Sequence, residues 1–375
     1  MTGITRRQLV HRAAVGGAAA LALPSVALAA PTRSGAAGDT VTVSNWPLYI
    51  DLDEKTKKRP SIEAFTKKTG IKVKYLEDVN DNNSFYGKVA PLLRRGQSTD
   101  RDVIVVTDWM AARFVRAGWV EKLDKSKIPN IKNLQPGLKS PSWDPKREYS
   151  LPWLTFMAGI GYDPKRVGYK ITSIDQLLTD RKLRGKVTLL SELPETVGLV
   201  MLSNGDDPSK VTAAGFDRAI KKIQKALDNG QIRAFTGNDY APLLAKGDVL
   251  AAGAWSGDVV QLKIDNPGLE FVIPQAGGML LSDNMLIPKG GNVALASTFM
   301  NYYFDPAVSA GVVDYVAYPG PVTGTEKVLA KTNPAAVKNT LIFPDAKTRA
   351  RLKSFDPVAA DNKEYKEKFQ ALVGA

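Results

Sequence analysis

The chain has 375 residues, of which 44% are hydrophobic and 24% charged, so it is long enough for two domains that each bury a core. It has no cysteine and one histidine, His11, which excludes disulfides and thiol nucleophiles. Its net charge of +13 comes from lysines and arginines scattered among acidic residues without a run of five, which argues against nucleic-acid binding.

Segment 1–29 has the features of a twin-arginine signal peptide. Adjacent arginines precede an uncharged, apolar stretch at 13–28, and small residues suited to cleavage follow near Ala29. Cleavage there removes His11 and three arginines, which leaves a net charge of +10 and no histidine for catalysis or zinc binding. Because the chain has no cysteine for a lipid anchor, we expect an exported periplasmic or extracellular protein that is not a lipoprotein.

The first half of the remaining chain alternates strands with helices. The predicted elements are a strand at 40–45, a helix capped by Ser61 and ended by Gly70, a strand at 71–75, a helix within 80–96, a buried strand at 102–106 and a helix at 109–117. This order predicts a doubly wound sheet, and such sheets bind ligands beyond the carboxyl ends of their strands. Those ends carry Trp46, Tyr49, Thr107, Asp108 and Trp109.

A second α/β unit follows in the chain. Its predicted helices lie at 174–180, 195–202 and 213–228, and its predicted strands at 187–190 and 249–254. The last strand runs directly into Trp255 and Asp258. Near the C-terminus Tyr365, Phe369 and Leu372 are spaced to form one apolar face of a helix.

Aromatic and acidic side chains therefore collect at the strand ends. The set comprises Trp46, Tyr49, Trp109, Trp255 and Tyr318, and we expect Asp108, Asp258 and Asp283 near them. Aromatic faces pack against methylene groups and attract cations, whereas carboxylates pair with ammonium groups. The set predicts a site for an elongated amine.

Several motifs extend this prediction, because they follow one another along almost the whole chain. They lie at 45–49 (Asn-Trp-x-x-Tyr), 65–73, 118–127, 149–153, 255–257, 283–288 and 317–321. In order and spacing the chain resembles the periplasmic spermidine/putrescine-binding proteins of ABC transporters, within the extracellular solute-binding proteins.

The resemblance implies a two-lobed periplasmic-binding-protein fold of the α/β class. Each lobe would hold a doubly wound mixed sheet with helices on both faces, and the ligand would lie in the cleft between the lobes. Lobe 1 would comprise 39–151 with 284–320 and lobe 2 would comprise 152–283 with 321–375, joined by crossing strands near Pro152 and Asp283. The resemblance also implies a monomer without cofactor, metal or catalysis that delivers a polyamine-like ligand to a permease and its ATPase.

The resemblance also implies which residues bind the ligand. Trp46, Tyr49, Trp109, Trp255 and Tyr318 would form an aromatic cage, with Thr107 as a polar donor at the rim and Asp283 as the carboxylate that holds an amine. Acids that the family places elsewhere are replaced by Leu48, Leu193 and Thr196, and the substitutes that stand nearby are Glu192, Glu195, Asp108 and Asp258. A shorter diamine, a monoamine and a differently charged solute therefore stay open as ligands.

Other functions of the same chain stay open as well. The fold would also accommodate an amino acid derivative, an opine or a sugar. Tyr302 and Tyr303 would suit a ferric ion, although the apolar residues around them favour a core helix. A glycosidase could use Glu195 with Asp258 or Asp283 as its acid and base.

Overall fold

The structure, a computed structural model, describes residues 39–374. The predicted signal peptide lies outside the described residues. No helix in the described range combines the length and the hydropathy that crossing a membrane requires.

The strands of the described range form one mixed sheet. They are β1 Thr40–Asn45, β2 Lys72–Glu77, β3 Val103–Thr107, β4 Ser150–Tyr162, β5 Val187–Leu190, β6 Ile232–Thr236, β7 Ala251–Trp255, β8 Glu270–Val272, β9 Gly278–Leu286 and β10 Leu352–Lys353. The order across the sheet is β2-β1-β3-β9-β4-β7-β5-β6, while β8 pairs with β4 and β10 pairs with β9. One parallel group, β2-β1-β3, thus lies on one side of β9 and β4, and a second, β7-β5-β6, lies on the other.

Helices connect these strands. They are α1 Pro60–Thr69, α2 Asn82–Arg94, α3 Asp108–Arg116, α4 Pro164–Val167, α5 Ile174–Thr179, α6 Leu193–Ser203, α7 Ala213–Asp228, α8 Tyr240–Lys246, α9 Ser256–Asp265, α10 Val293–Tyr303, α11 Pro306–Val316, α12 Thr325–Thr332, α13 Pro334–Val337, α14 Ala346–Ala350, α15 Pro357–Asp361 and α16 Lys363–Val373. The alternation of strands and helices confirms the predicted α/β class.

Two long antiparallel strands, β4 and β9, join the two parallel groups. They run through the positions where we expected the chain to cross, since Pro152 pairs with Asn284 and Leu154 with Asp283. The register shifts between Pro152 and Leu154. Proline has no backbone N–H to donate to a neighbouring strand, so it suits this irregular point.

The predicted strands and helices agree with the structure to within a few residues, except at one cap. Ser61 was expected to cap α1, but the helix begins at Pro60 and its N-cap residue is Arg59. The hydroxyl and the backbone N–H of Ser61 both donate to the carboxylate of Asp51. Gly70 ends the helix as predicted, in the left-handed conformation that glycine adopts without strain.

Helices of the C-terminal segment 321–374 contact helices from both predicted lobes. Helix α12 packs on α11 and α15 packs on α3, whereas α16 packs on α7. The first two partners lie in segments that we assigned to lobe 1, and the third lies in a segment of lobe 2. The limits of the two lobes therefore stay a prediction.

Candidate ligand-binding site

A pocket lies where the strand ends of the two parallel groups face each other. It is lined by Trp46, Pro47, Tyr49, Asn82, Thr107, Phe156, Glu192, Glu195, Asn238, Trp255, Asp258, Asp283 and Tyr318. Its free space is about 430 Å³, including the part that is open to solvent. Eight of the ten residues predicted from the sequence are in this lining.

Asp283 is held from two directions inside this pocket. Its Oδ2 accepts a 2.9 Å hydrogen bond from the hydroxyl of Tyr49, and its Oδ1 accepts one of 2.7 Å from the hydroxyl of Thr107. All three side chains are buried, so Thr107 is not the rim residue that we expected. Burial raises the pKa of Asp283 to about 7, although both hydrogen bonds favour the charged form. A cation beside Asp283 would stabilise its carboxylate.

Asp258 is held by two tyrosines on another side of the pocket. Its Oδ2 accepts a 2.8 Å hydrogen bond from Tyr240, and its Oδ1 accepts one of 2.5 Å from Tyr318. The hydroxyl of Tyr240 also accepts the backbone N–H of Trp255 at 3.0 Å, which fixes it at the end of β7. Burial raises the pKa of Asp258 above its ordinary value.

Glu192, the N-cap residue of α6, and Glu195 in its first turn bring two more carboxyl groups. Oε1 of Glu192 accepts a 3.2 Å hydrogen bond from the side-chain amide of Asn82. Within residues 39–374, Oε2 of each glutamate has no hydrogen-bond partner. Burial raises the pKa of Glu192 to about 7. Burial and the nearby charge of Glu192 also raise the pKa of Glu195 well above its ordinary value.

Four carboxyl groups thus face one pocket without a cation to balance them. Among the described residues that line it, none is a lysine or an arginine. Three of the four predicted substitute acids, Glu192, Glu195 and Asp258, are among them. The arrangement favours a positively charged ligand, because each ionised carboxylate that stays unpaired in a buried site is costly.

Aromatic rings form the rest of the wall. Tyr49 and Tyr318 meet edge to face with their centroids 5.4 Å apart. Trp255 meets Phe156 in the same way at 6.4 Å. Trp46 completes the aromatic lining, and its indole N–H has no hydrogen-bond partner among the described residues. Such faces contact methylene chains and attract ammonium groups.

Two predicted site residues, Asp108 and Trp109, lie outside the pocket. The carboxylate of Asp108 accepts hydrogen bonds from the backbone of Ser282 at 2.8 Å and from the amide of Asn284 at 2.7 Å, so it ties the start of α3 to β9. Trp109 lines a neighbouring pocket. Both residues follow β3 but belong to the first turn of α3, where successive side chains point in different directions. Placement after a strand was therefore not enough to assign them to the site.

The sequence interpretation missed four lining residues, Pro47, Asn82, Phe156 and Asn238. Phe156 lies in β4, whose fully buried residues show no alternation that would mark the strand. Asn238 lies in the loop between β6 and α8, and no motif marks it. Asn82 follows Asp81, whose side chain caps α2. The only sequence signal near Asn82 was therefore this cap, which marks the start of the helix.

Several hydrogen bonds inside the pocket connect segments that we assigned to different lobes, including those of Tyr49 and Thr107 to Asp283. The amide of Asn82, from the lobe 1 segment, donates to Glu192 in the lobe 2 segment. The hydroxyl of Tyr318 donates to Asp258 in the same way. These bonds link the predicted lobes directly through the pocket.

The tyrosine pair that suggested a ferric site lies in α10. Tyr303 is buried, stacks on Trp153 with a centroid distance of 4.0 Å and donates a 2.5 Å hydrogen bond to the carbonyl of that residue. Tyr302 meets Phe65 edge to face. The pair is thus part of the helix packing, as its apolar surroundings predicted. Over residues 39–374, no three acidic, histidine or cysteine side chains are grouped as a metal site would require.

Known proteins resemble this chain over most of its length. Residues 61–343 match the family model described as bacterial extracellular solute-binding protein. The putrescine-binding periplasmic protein PotF of Escherichia coli is 30% identical over 84% of this chain and 85% of its own length. The spermidine/putrescine-binding periplasmic protein of Salmonella typhimurium is 25% identical over 94% of this chain and 97% of its own.

A solved structure supports the same assignment at the level of the fold. The substrate-binding protein PotD from Streptococcus pneumoniae superposes with a TM-score of 0.72, at 24% identity, over 89% of this chain and 97% of its own. The predicted periplasmic-binding-protein fold is thereby confirmed. Since the family model covers well over half of the sequence, the chain belongs to the bacterial extracellular solute-binding proteins.

Proposed function

We propose that the chain captures a short, positively charged amine of the putrescine/spermidine class in the acidic pocket. The observation that carries this proposal is the set of four carboxyl groups, three buried (Glu192, Glu195 and Asp283) and one partly buried (Asp258), in a lining without lysine or arginine. Aromatic faces around these acids suit the methylene chain of such an amine. PotF, a putrescine-binding protein, and the Salmonella relative, a spermidine/putrescine-binding protein, support the same ligand class.

The role proposed for the protein is transport without catalysis. The ligand stabilises a closed form in which both lobes contact it, and a membrane permease with its ATPase recognises that form. The Asn82–Glu192 and Tyr318–Asp258 hydrogen bonds support such a closure, because ligand and lobe contacts share the same acids. We further propose export through the twin-arginine route, cleavage near Ala29 and a monomeric, unanchored protein outside the cytoplasmic membrane.

Calorimetry with the purified full chain tests the ligand class. The panel comprises putrescine, spermidine, spermine, agmatine, γ-aminobutyrate, an opine, a simple sugar and ferric citrate. We expect at least one amine of the putrescine/spermidine class to bind, and Asp283→Asn to weaken it by about 30-fold or more, since removing one partner of a buried charge pair costs roughly 2–5 kcal/mol.

Asp217→Asn is the matched control for this experiment. Asp217 is outside the pocket lining and pairs with Lys368 at the surface, so its replacement should leave amine binding within about twofold. Binding of the sugar or of ferric citrate in place of every amine would contradict the proposed ligand class and leave the transport role intact.

A further inference from the structure

A second pocket adjoins the acidic pocket, and Glu192 lines both of them. Its free space is about 610 Å³, including the part open to solvent. Four polar residues, Asn83, Glu192, Lys366 and Gln370, line it together with five apolar ones, Trp109, Leu193, Pro194, Ala360 and Phe369. All five apolar residues are buried. The proposed function gives this second space no role.

Two polar atoms of this second pocket lack a partner. Nε1 of Trp109 can only donate a hydrogen bond, and Oε2 of ionised Glu192 can only accept one. Neither atom has a hydrogen-bond partner in the part of the chain that the structure describes. Trp109 is 5% exposed and Glu192 is 3% exposed, so both are nearly withdrawn from solvent. A ligand in this pocket therefore needs one acceptor and one donor.

The charge around the second pocket differs from that of the first. Lys366 belongs to its lining, and its ammonium lies 2.9 Å from the carboxylate of Asp361. Arg113 and Arg116 each pair with the same carboxylate at 2.6 Å. Three cations thus share one anion beside this pocket. A second ammonium group of a ligand would meet repulsion there, whereas an uncharged polar group would not.

We infer that the second pocket receives the uncharged, amide-bearing end of the ligand, and that the preferred ligand is a diamine acylated at one nitrogen. This inference rests on the proposed function, because the free ammonium of the same molecule occupies the acidic pocket. The amide carbonyl accepts from Nε1 of Trp109, and the amide N–H donates to Oε2 of Glu192. The acyl group then contacts the apolar wall.

Calorimetry with 1,4-diaminobutane and its mono-N-acetyl derivative tests the inference. We expect the acetylated amine to bind the full chain at least about threefold more tightly than the diamine. This is the difference in affinity that one net hydrogen bond produces. Trp109→Phe keeps an aromatic ring but removes the N–H. It should weaken the acetylated amine about three- to tenfold more than it weakens the diamine.

Lys366→Met provides an independent variant that removes the cation from the lining. Lys366 is partly exposed, and Asp361 keeps its pairs with Arg113 and Arg116, so the fold should be retained. The diamine should then bind more tightly, and the preference for the acetylated amine should shrink. Trp143→Phe is the matched control for the indole, because Trp143 lies outside both pocket linings.

The outcomes separate this inference from the proposed function. A wild-type chain that binds the diamine as tightly as the acetylated amine would overturn the inference and leave the proposed function standing. A preference that survives both Trp109→Phe and Lys366→Met would also overturn it. If neither amine binds, the inference and the proposed ligand class fail together.

Discussion

The hydroxyl of Tyr49 donates a 2.9 Å hydrogen bond to Oδ2 of Asp283, which lies 234 positions further along the chain. Tyr49 follows β1, and Asp283 belongs to β9. Strand β3 lies between these two strands, and the hydroxyl of its residue Thr107 donates a hydrogen bond to Oδ1 of Asp283. Three neighbouring strands thus hold one acid. The order of the strands in the sheet, and not spacing along the sequence, places this acid in the pocket.

Tyr49→Phe should weaken amine binding about tenfold at neutral pH. The tyrosine hydroxyl stabilises the charged form of Asp283, so its removal raises the pKa of that carboxyl further and leaves less carboxylate to pair with an ammonium group. Calorimetry measures the loss. The affinity lost at neutral pH should be partly recovered at higher pH, where Asp283 is ionised again.

Tyr169→Phe is the control for this substitution. Tyr169 also donates its hydroxyl to a carboxylate, that of Asp180, but the pair lies outside the pocket lining. Amine affinity should therefore stay within about twofold of the wild-type value. An equal loss in both variants would mean that Tyr49 acts through general stability and not through Asp283.

Amine binding should strengthen as the pH rises from about 5 to about 8, with release of protons. Burial raises the pKa of Asp283 and of Glu192 to about 7 each. In the free protein both groups bind protons more tightly than in the unfolded chain, so the stability they contribute is fully present below about pH 4 and is lost as the pH rises through about 7. A bound cation favours their ionised forms.

Calorimetry in buffers of different ionisation enthalpy measures the released protons directly. Asp283→Asn removes one titrating group, so a smaller proton release in that variant is the expected control result. Affinity that stays constant between about pH 5 and about pH 8 would show that these carboxyl groups are already ionised in the free pocket.

The sequence predicted the parallel strands and their helices well, because each has a local signal. Strand β5 is confirmed at both ends, and so is α7, which is amphipathic and capped by Thr212. Strand β4 has no such signal, since all of its residues are buried and it contains Pro152. Its residue Phe156 was therefore missed.

For the candidate site, the sequence predicted residue types better than contacts. Trp255, the last residue of β7, and Asp258, three residues beyond it, were predicted from their position at the end of a strand. Asp108 follows β3 in the same way, yet its carboxylate holds Ser282 and Asn284. The direction of a side chain in the first turn of a helix depends on the packing of that helix, which a single sequence does not contain.

Asn82→Ala should weaken amine binding about tenfold and favour a more open form. The amide of Asn82 donates 2.9 and 3.2 Å hydrogen bonds to Thr107 and Glu192, which belong to different predicted lobes. Each lost hydrogen bond contributes about 1 kcal/mol. In small-angle X-ray scattering with saturating amine, the Asn82→Ala variant should have a larger radius of gyration than the wild-type protein.

Ser84→Ala is the control on the same helix, because Ser84 is exposed and lies outside the pocket lining. Its scattering and its affinity should match the wild-type values. Unchanged affinity in Asn82→Ala would show that the link between Asn82 and Glu192 does not contribute to binding.

Gly257→Ala should weaken binding by displacing Tyr318. A Cβ atom at position 257 would clash with the ring of Tyr318, whose hydroxyl holds Asp258. Overpacking of this kind costs roughly 1–3 kcal/mol, so the unfolding midpoint should fall as well. Gly311→Ala is the control, since nothing lies within 4 Å of a Cβ there and alanine favours the helix. Equal amine affinities and unfolding midpoints in the two variants would contradict the close contact between position 257 and the ring of Tyr318.

Removal of the chain after Asp361 should destabilise the fold and reduce the soluble yield, because it deletes α16. Phe369 and Leu372 of this helix are buried, and Tyr365 stacks on Phe216 of α7 with a centroid distance of 4.0 Å.

The point variant Leu372→Ala should lower the free energy of unfolding by about 2–5 kcal/mol, as measured by urea denaturation. Glu367→Ala, on the exposed face of α16, should change it by less than about 0.5 kcal/mol. A truncated chain that melts at the wild-type temperature would show that α16 packs on α7 without stabilising it.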